Sequence, residues 1–267
     1  MTDPLERIAA ALERRSPPPP VPCDPLAHPA YVWRGGLVPA RDFRPLPIDL
    51  LIGIDRQKAA LVANLERLAA GSAAQDVLLW GARGTGKSAL VKSAVGAVQA
   101  AGGDLALIEV AALAALPDLF ARLAKVPRAF ALFVDDLGVD APGEARLLRS
   151  LLEGGAEARP GNVRLMVTAN RRHVVPRDIA EQESAINPRD AVDDQLALAD
   201  RFGLSLGFHA VDQDAYLAIV AAYAARHGLA YDSADAVRWA TQRGSRSGRV
   251  AWQYLVDLAG RAGRTLG

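Results

Sequence analysis

Asp76-Val77-Leu78-Leu79-Trp80-Gly81-Ala82-Arg83-Gly84-Thr85-Gly86-Lys87-Ser88 is the stretch that decides the fold. A short apolar run ends at residues 81–88, which fit the pattern G-x-x-x-x-G-K-[ST], and helical periodicity resumes over Lys87–Ala101. Glycines at these positions let the backbone curl closely enough for successive N–H groups to face phosphate oxygens. The helix that starts near Lys87 adds the partial positive charge of its N-terminus. Lys87 is placed to reach the β- and γ-phosphates of a nucleoside triphosphate, and the Ser88 hydroxyl to ligate Mg2+. The whole chain has four lysines, so one falling in this pattern carries weight.

Outward from this loop, strand and helix signals alternate. Residues 55–70 are amphipathic, with Leu61, Leu65 and Leu68 on one stripe. Apolar runs at 76–81, 105–110, 130–134, 163–169 and 204–208 read as strands, and 116–124 and 143–158 as helices. After Asp212 only helical patterns follow, at 213–226, 233–243 and 249–262. Five apolar strands alternating with helices predict a parallel α/β sheet, and the tail predicts an all-α lid. The expected organisation is an N-terminal arm over 1–50, an α/β core over 51–210 and a helical lid over 211–267. Within the arm, residues 4–15 read as a short helix, 16–22 as a proline-rich break, and the stretch from Pro25 to Pro47 as extended chain on a surface.

Composition removes other classes. The 267 residues hold 31 basic and 30 acidic side chains, a formal charge of +1, which argues against a general polyanion binder. A 51% hydrophobic content with 23% charged residues is that of a globular chain. No uncharged stretch is long enough to span a bilayer, and the N-terminus lacks a secretory pattern, so a cytoplasmic location is expected. The single cysteine, Cys23, excludes an internal disulfide framework and is expected to be inert.

A phosphate loop needs a carboxylate on a neighbouring strand to hold magnesium through water. Ala131-Leu132-Phe133-Val134-Asp135-Asp136 supplies it, with Asp135 on the metal side and Asp136 as the base that polarises water. Asp136 is a methylene shorter than the glutamate usual in ATPases, so binding is better supported than fast hydrolysis. Asn170, after the strand at 163–169, can orient water against the γ-phosphate. Arg201, just before the last strand, can project towards a neighbouring subunit's phosphate. Arg249, opening the last helix, can let the lid sense the same group, with Arg246 a weaker competitor. Each has a plainer reading as a turn former or a solvated side chain.

In this order, Gly53-Ile54-Asp55, the loop at 81–88, Asp135-Asp136, Asn170, Arg201 and Arg249 resemble the AAA+ ATPase superfamily. The phrases LLWGARGTGKSALVK, LFVDDL, LLEGGAEARPGNV, TANRRH, DRFGLSLGF and GRSGRVAWQ resemble, more closely, a bacterial family of single-module predicted AAA+ ATPases. The resemblance runs from about residue 31 onwards. It implies a P-loop sheet of five parallel strands in the order 5-1-4-3-2, with a C-terminal lid. It implies ATP with Mg2+ at a subunit interface, in a ring or nucleotide-dependent homo-oligomer. It also implies Gly53 and Ile54 beside adenine, and Gly81, Ala82, Arg83, Gly84, Thr85, Gly86, Lys87, Ser88 and Ala89 along the phosphates. Asn170 would be the first sensor, Arg201 a finger given in trans and Arg249 the second sensor. Asp136 departs from the superfamily pattern.

Partner signals are weaker. Ala111–Pro117 has neither the aromatic nor the glycine of a chain-threading loop. The segment 171–194 carries both charge signs and is either a solvated loop or a contact for an unknown protein partner. Residues 226–267 hold seven arginines against three aspartates, a local +4 compatible with nucleic acid, yet without a helix–turn–helix signature. Two functions stay open: an ATPase that couples its nucleotide to lid movement, and a nucleotide-gated loader or regulatory module with negligible turnover, on DNA in one form. A small-molecule kinase is disfavoured by Asn170 and the helical tail.

Overall fold

The computed structural model describes residues 3, 23–137, 142–153, 159–170 and 201–266. The expected helix at 4–15, the segment 171–194 and His173 lie outside the described residues.

Seven strands form one sheet: β1 (Ala30–Trp33), β2 (Leu37–Pro39), β3 (Val77–Gly81), β4 (Leu105–Glu109), β5 (Ala129–Val134), β6 (Val163–Asn170) and β7 (Leu204–Phe208). The order is β2-β1-β4-β5-β6-β3-β7, parallel except for the β1–β2 pair. The run β7-β3-β6-β5-β4 has the 5-1-4-3-2 order that the resemblance implies. A sheet of only five strands, however, was too small an expectation, because β1 and β2 extend the far edge. They come from the proline-bearing stretch read as surface chain. Pro39 is tolerated there because β2 is an edge strand, where a missing N–H breaks no ladder. Tyr31 is 1% exposed and anchors β1, and the Arg122 guanidinium lies 5.4 Å from the centre of the Trp33 ring.

Helices α1 (Asp55–Ala69) and α2 (Lys87–Ala100) cover one face of the sheet; α3 (Leu116–Leu123) and α4 (Pro142–Glu153) cover the other. Alternation along β3 shows why two layers form: Val77 and Leu79 pack under α1 and α2, while Leu78 joins the opposite cluster. β5 is buried at every residue, as a central parallel strand should be.

The tail folds as α5 (Gln213–His227), α6 (Ser233–Gln242) and α7 (Gly248–Arg261) around Tyr216 and Tyr254. Each start is capped by a side chain accepting a backbone N–H: Asp212 from Ala215, Asp232 from Ala234, and Ser247 from Val250. Leu50, from a 3-10 turn at Ile48–Leu50, is buried in this helical cluster and ties it to the segment leading into α1. Among the described residues, no helix is long and apolar enough to cross a membrane.

Candidate functional site

β3 delivers the chain to Gly81 at the carboxyl end of the sheet, where it pairs with Asn170 on one side and Phe208 on the other. Gly81 has φ 140°, and a Cβ there would lie 2.0 Å from the Phe208 carbonyl oxygen, so the close approach of β7 demands glycine. Gly86, at φ 96°, caps α2 in the left-handed region. Lys87 is 7% exposed and turns back over the loop, its ammonium donating to the carbonyls of Gly81 (2.9 Å) and Ala82 (2.8 Å). Burial draws its pKa below the ordinary lysine value, against the pull of Asp136 and Asp135.

The acidic end of β5 meets this loop directly. The Ser88 hydroxyl donates to Asp135 Oδ1 at 2.6 Å, which brings together the two groups expected on the metal. Thr168, on β6, donates its hydroxyl to the same Asp135 oxygen at 2.7 Å and accepts the Asp136 N–H at 2.7 Å. Asp136 has φ 51°, the one positive φ outside glycine among the described residues. The conformation is costly for most side chains but tolerated by aspartate, and Thr168 holds it. The Asn170 amide donates to Asp136 Oδ1, and the Arg83 guanidinium stands 3.6 Å from Asp136 Oδ2.

These groups line a cleft of about 700 Å3 between the sheet's carboxyl end and the helical tail. Of the predicted residues, Gly53, Ile54, Arg83, Gly84, Thr85, Gly86, Lys87, Ser88, Ala89, Asp135, Asp136, Asn170 and Arg249 all line it. Gly81 and Ala82 do not line it; their carbonyls hold Lys87 instead. Gly248 donates its N–H to the Gly84 carbonyl at 3.2 Å, so the start of α7 touches the phosphate loop beside Arg249. Arg246 is directed elsewhere, 3.5 Å from Gln213 Oε1. Arg201 stands apart from this chain's own cleft. It precedes Leu204, which pairs with Val77 at the amino end of β3, about 13 Å of strand from the Phe208–Gly81 pair.

Several lining residues escaped the sequence reading. Thr168 carried a signal: a hydroxyl inside the apolar run VRLMVTA, two residues before Asn170 and so on the same strand face. His209, Gln57, Leu50 and Tyr223 converge from segments far apart in the chain, and no local pattern marks them.

The arrangement matches known folds. A solved Thermotoga maritima RuvB, a Holliday junction branch migration motor, aligns with TM-score 0.52 and 21% identity over 83% of this chain and 68% of its own. The Aeropyrum pernix Orc1 protein, solved in complex with DNA, aligns with TM-score 0.53 and 17% identity over 83% of this chain and 66% of its own. Domain III of the Thermotoga maritima replication initiation protein DnaA aligns with TM-score 0.51 and 15% identity over 85% of this chain and 93% of its own. Identities this low establish a shared fold and nothing finer. Comparison with curated proteins gives no match. A family model described as a protein of unknown function, DUF815, matches residues 26–262. The chain therefore belongs to the DUF815 family and carries the AAA+ ATPase fold.

Proposed function

We propose that this protein binds Mg-ATP in the cleft and hydrolyses it slowly at a contact between subunits, using the cycle to move the lid of residues 211–267 against the core. The observation that carries the reading is the 2.6 Å hydrogen bond between Ser88 and Asp135 at the mouth of the phosphate loop. It places two hard oxygen donors together where a magnesium ion would neutralise triphosphate charge. The glycine-lined loop, the buried ammonium of Lys87 and the apolar Leu50, Ile54 and Ile219 along the same cleft fit the rest of the nucleotide.

When bound, Mg-ATP supplies the phosphoanhydride and the charge neutralisation. The chain's residues do the positioning. Lys87 exchanges its loop carbonyls for phosphate oxygens, and Ser88 and Asp135 hold the metal side. Asp136 accepts a proton from water. Asn170 lies between Asp136 and the end of the phosphate chain and orients that water. Arg249, beside the Gly248–Gly84 contact, carries the state of the phosphates into α7. Arg201, remote from its own cleft, is offered to a neighbouring copy, which predicts a homo-oligomer.

The test is the ATPase rate per subunit measured across protein concentration, for the unmodified chain and Arg201→Ala. A finger given in trans predicts a rate that climbs with concentration and collapses in the variant. A flat rate with an unaffected variant overturns the interface mechanism.

One observation favours a nucleotide-gated module with negligible turnover as the second reading. The Asp136 carboxylate is held by Asn170 with Arg83 nearby, a geometry that restrains a base. Asp136→Asn separates the two: it traps bound ATP if turnover matters and leaves nucleotide exchange unchanged if it does not.

A further inference from the structure

We propose that Asn64, Gln75 and Gly203 form a strut that fixes the position of Arg201; the inference rests on the subunit-interface reading above. Asn64, on α1, is fully buried, and the cleft makes no use of it. Its carboxamide grips one residue's backbone from both sides: Oδ1 accepts the Gln75 N–H at 2.9 Å and Nδ2 donates to the Gln75 carbonyl at 2.9 Å. This is a strand-like pairing made by a side chain, and it leaves Gln75 no freedom to shift. The Gln75 side chain fills the space beside Gly203. A Cβ at Gly203 would lie 1.9 Å from Gln75 Oε1, 2.4 Å from Cδ and 3.0 Å from Cγ. On either side of Gly203, Phe202 is buried in the core and the Leu204 N–H donates to the Asp76 carbonyl at 3.1 Å. The three residues that follow Arg201 are therefore each held.

α1 grips both ends of β7. Gln57 donates its amide to the Gly207 carbonyl at 2.8 Å and lines the cleft, while Asn64, acting through Gln75, holds Gly203. Residues 57 and 64 are two helical turns apart, on one face and about 10 Å along the axis. The same rigid helix thus spans from this subunit's own nucleotide cleft to the turn that carries the arginine meant for its neighbour. Asn64, Gln75 and Gly203 touch no reacting atom; they are positioning residues.

Mixed oligomers test the proposal with the full chain. A Lys87→Ala subunit cannot use ATP but presents Arg201; an Arg201→Ala subunit has a complete cleft but no finger. Their mixture should recover ATPase activity that neither shows alone. Placing Gly203→Val in the Lys87→Ala subunit should lower the kcat of the mixture by about tenfold or more with KM unchanged, since a misplacement near 1 Å can cost about 100-fold. Adding Gln75→Ala to that same subunit deletes the three atoms in the way and should restore the rate. Gly203→Val in the Arg201→Ala subunit should leave the mixture unaffected, and it serves as the folding control. Equal loss from either placement means a general structural defect and overturns the positioning role. Full complementation despite Gly203→Val in the finger-bearing subunit overturns it as well. No complementation in the parental mixture overturns the interface reading itself, and the strut with it.

Discussion

Thr168→Val tests how the acidic corner is built. The residue is 1% exposed, and valine matches threonine in shape, so no cavity opens. Two hydrogen bonds disappear: the 2.7 Å donation to Asp135 Oδ1 and the 2.7 Å acceptance from the Asp136 N–H. An orphaned backbone donor costs about 1–3 kcal/mol, and a lost bond to a charged group about 1.5–3 kcal/mol. Asp135 keeps its bond from Ser88 and borders an open cleft, which offsets part of the second loss. The net expectation is a destabilisation of about 2–4 kcal/mol. In a chain this long that lowers Tm by roughly 5–15 °C. Calorimetric unfolding measures it, with Thr168→Ser as the companion because serine keeps the hydroxyl. A change below about 0.5 kcal/mol, or a serine variant as unstable as the valine one, would refute the reasoning.

Other outcomes follow from the same geometry. Gly81→Ala forces a Cβ to 2.0 Å from the Phe208 carbonyl at φ 140°, and chemical denaturation should show a loss of at least about 2 kcal/mol. Asp76 is 6% exposed, accepts the Leu165 N–H at 2.8 Å and pairs with Arg159, yet burial raises its pKa above the ordinary 3.8. Asp76→Ala strands the Arg159 guanidinium and should cost about 3–5 kcal/mol. Because the folded pKa is the higher one, the stability from protonated Asp76 is present below pH 3.8 and fades as pH rises through the raised value. Asp76→Asn should abolish that pH-dependent component in urea titrations at successive pH values. Lys87 must be protonated to hold phosphate, and its pKa lies below 10.5, so ATP affinity should weaken with rising pH before an ordinary lysine would titrate. Binding titrations at alkaline pH read this; affinity that stays constant until the ordinary lysine range contradicts it.

The strands and phosphate loop were legible because each is local. β3 to β7 are apolar runs bounded by turns, and the loop is eight consecutive residues. The hairpin of β1 and β2 was not, since a four-residue and a three-residue strand amid prolines give no periodicity to read, and only pairing with β4 makes them a sheet edge. Asp135, Asp136 and Asn170 were readable from their places at strand ends. The hydroxyl that binds that corner together was not, because Thr168 looks like an ordinary β-branched strand residue until the register between β5 and β6 is known. The lid side of the cleft was half legible. Arg249 stood out as a charge at a helix start, whereas Tyr223 and Leu50 belong to the site only because the tail folds over the carboxyl end of β3.

The central claim is that the triphosphate of ATP is held by the loop at 81–88 together with the Ser88–Asp135 pair. Isothermal titration of the protein with a non-hydrolysable ATP analogue, with and without Mg2+, measures it most directly. The account predicts saturable binding that strengthens with Mg2+, loses that dependence in Asp135→Ala and vanishes in Lys87→Ala. Binding that ignores both magnesium and Lys87, or no binding at all, contradicts it.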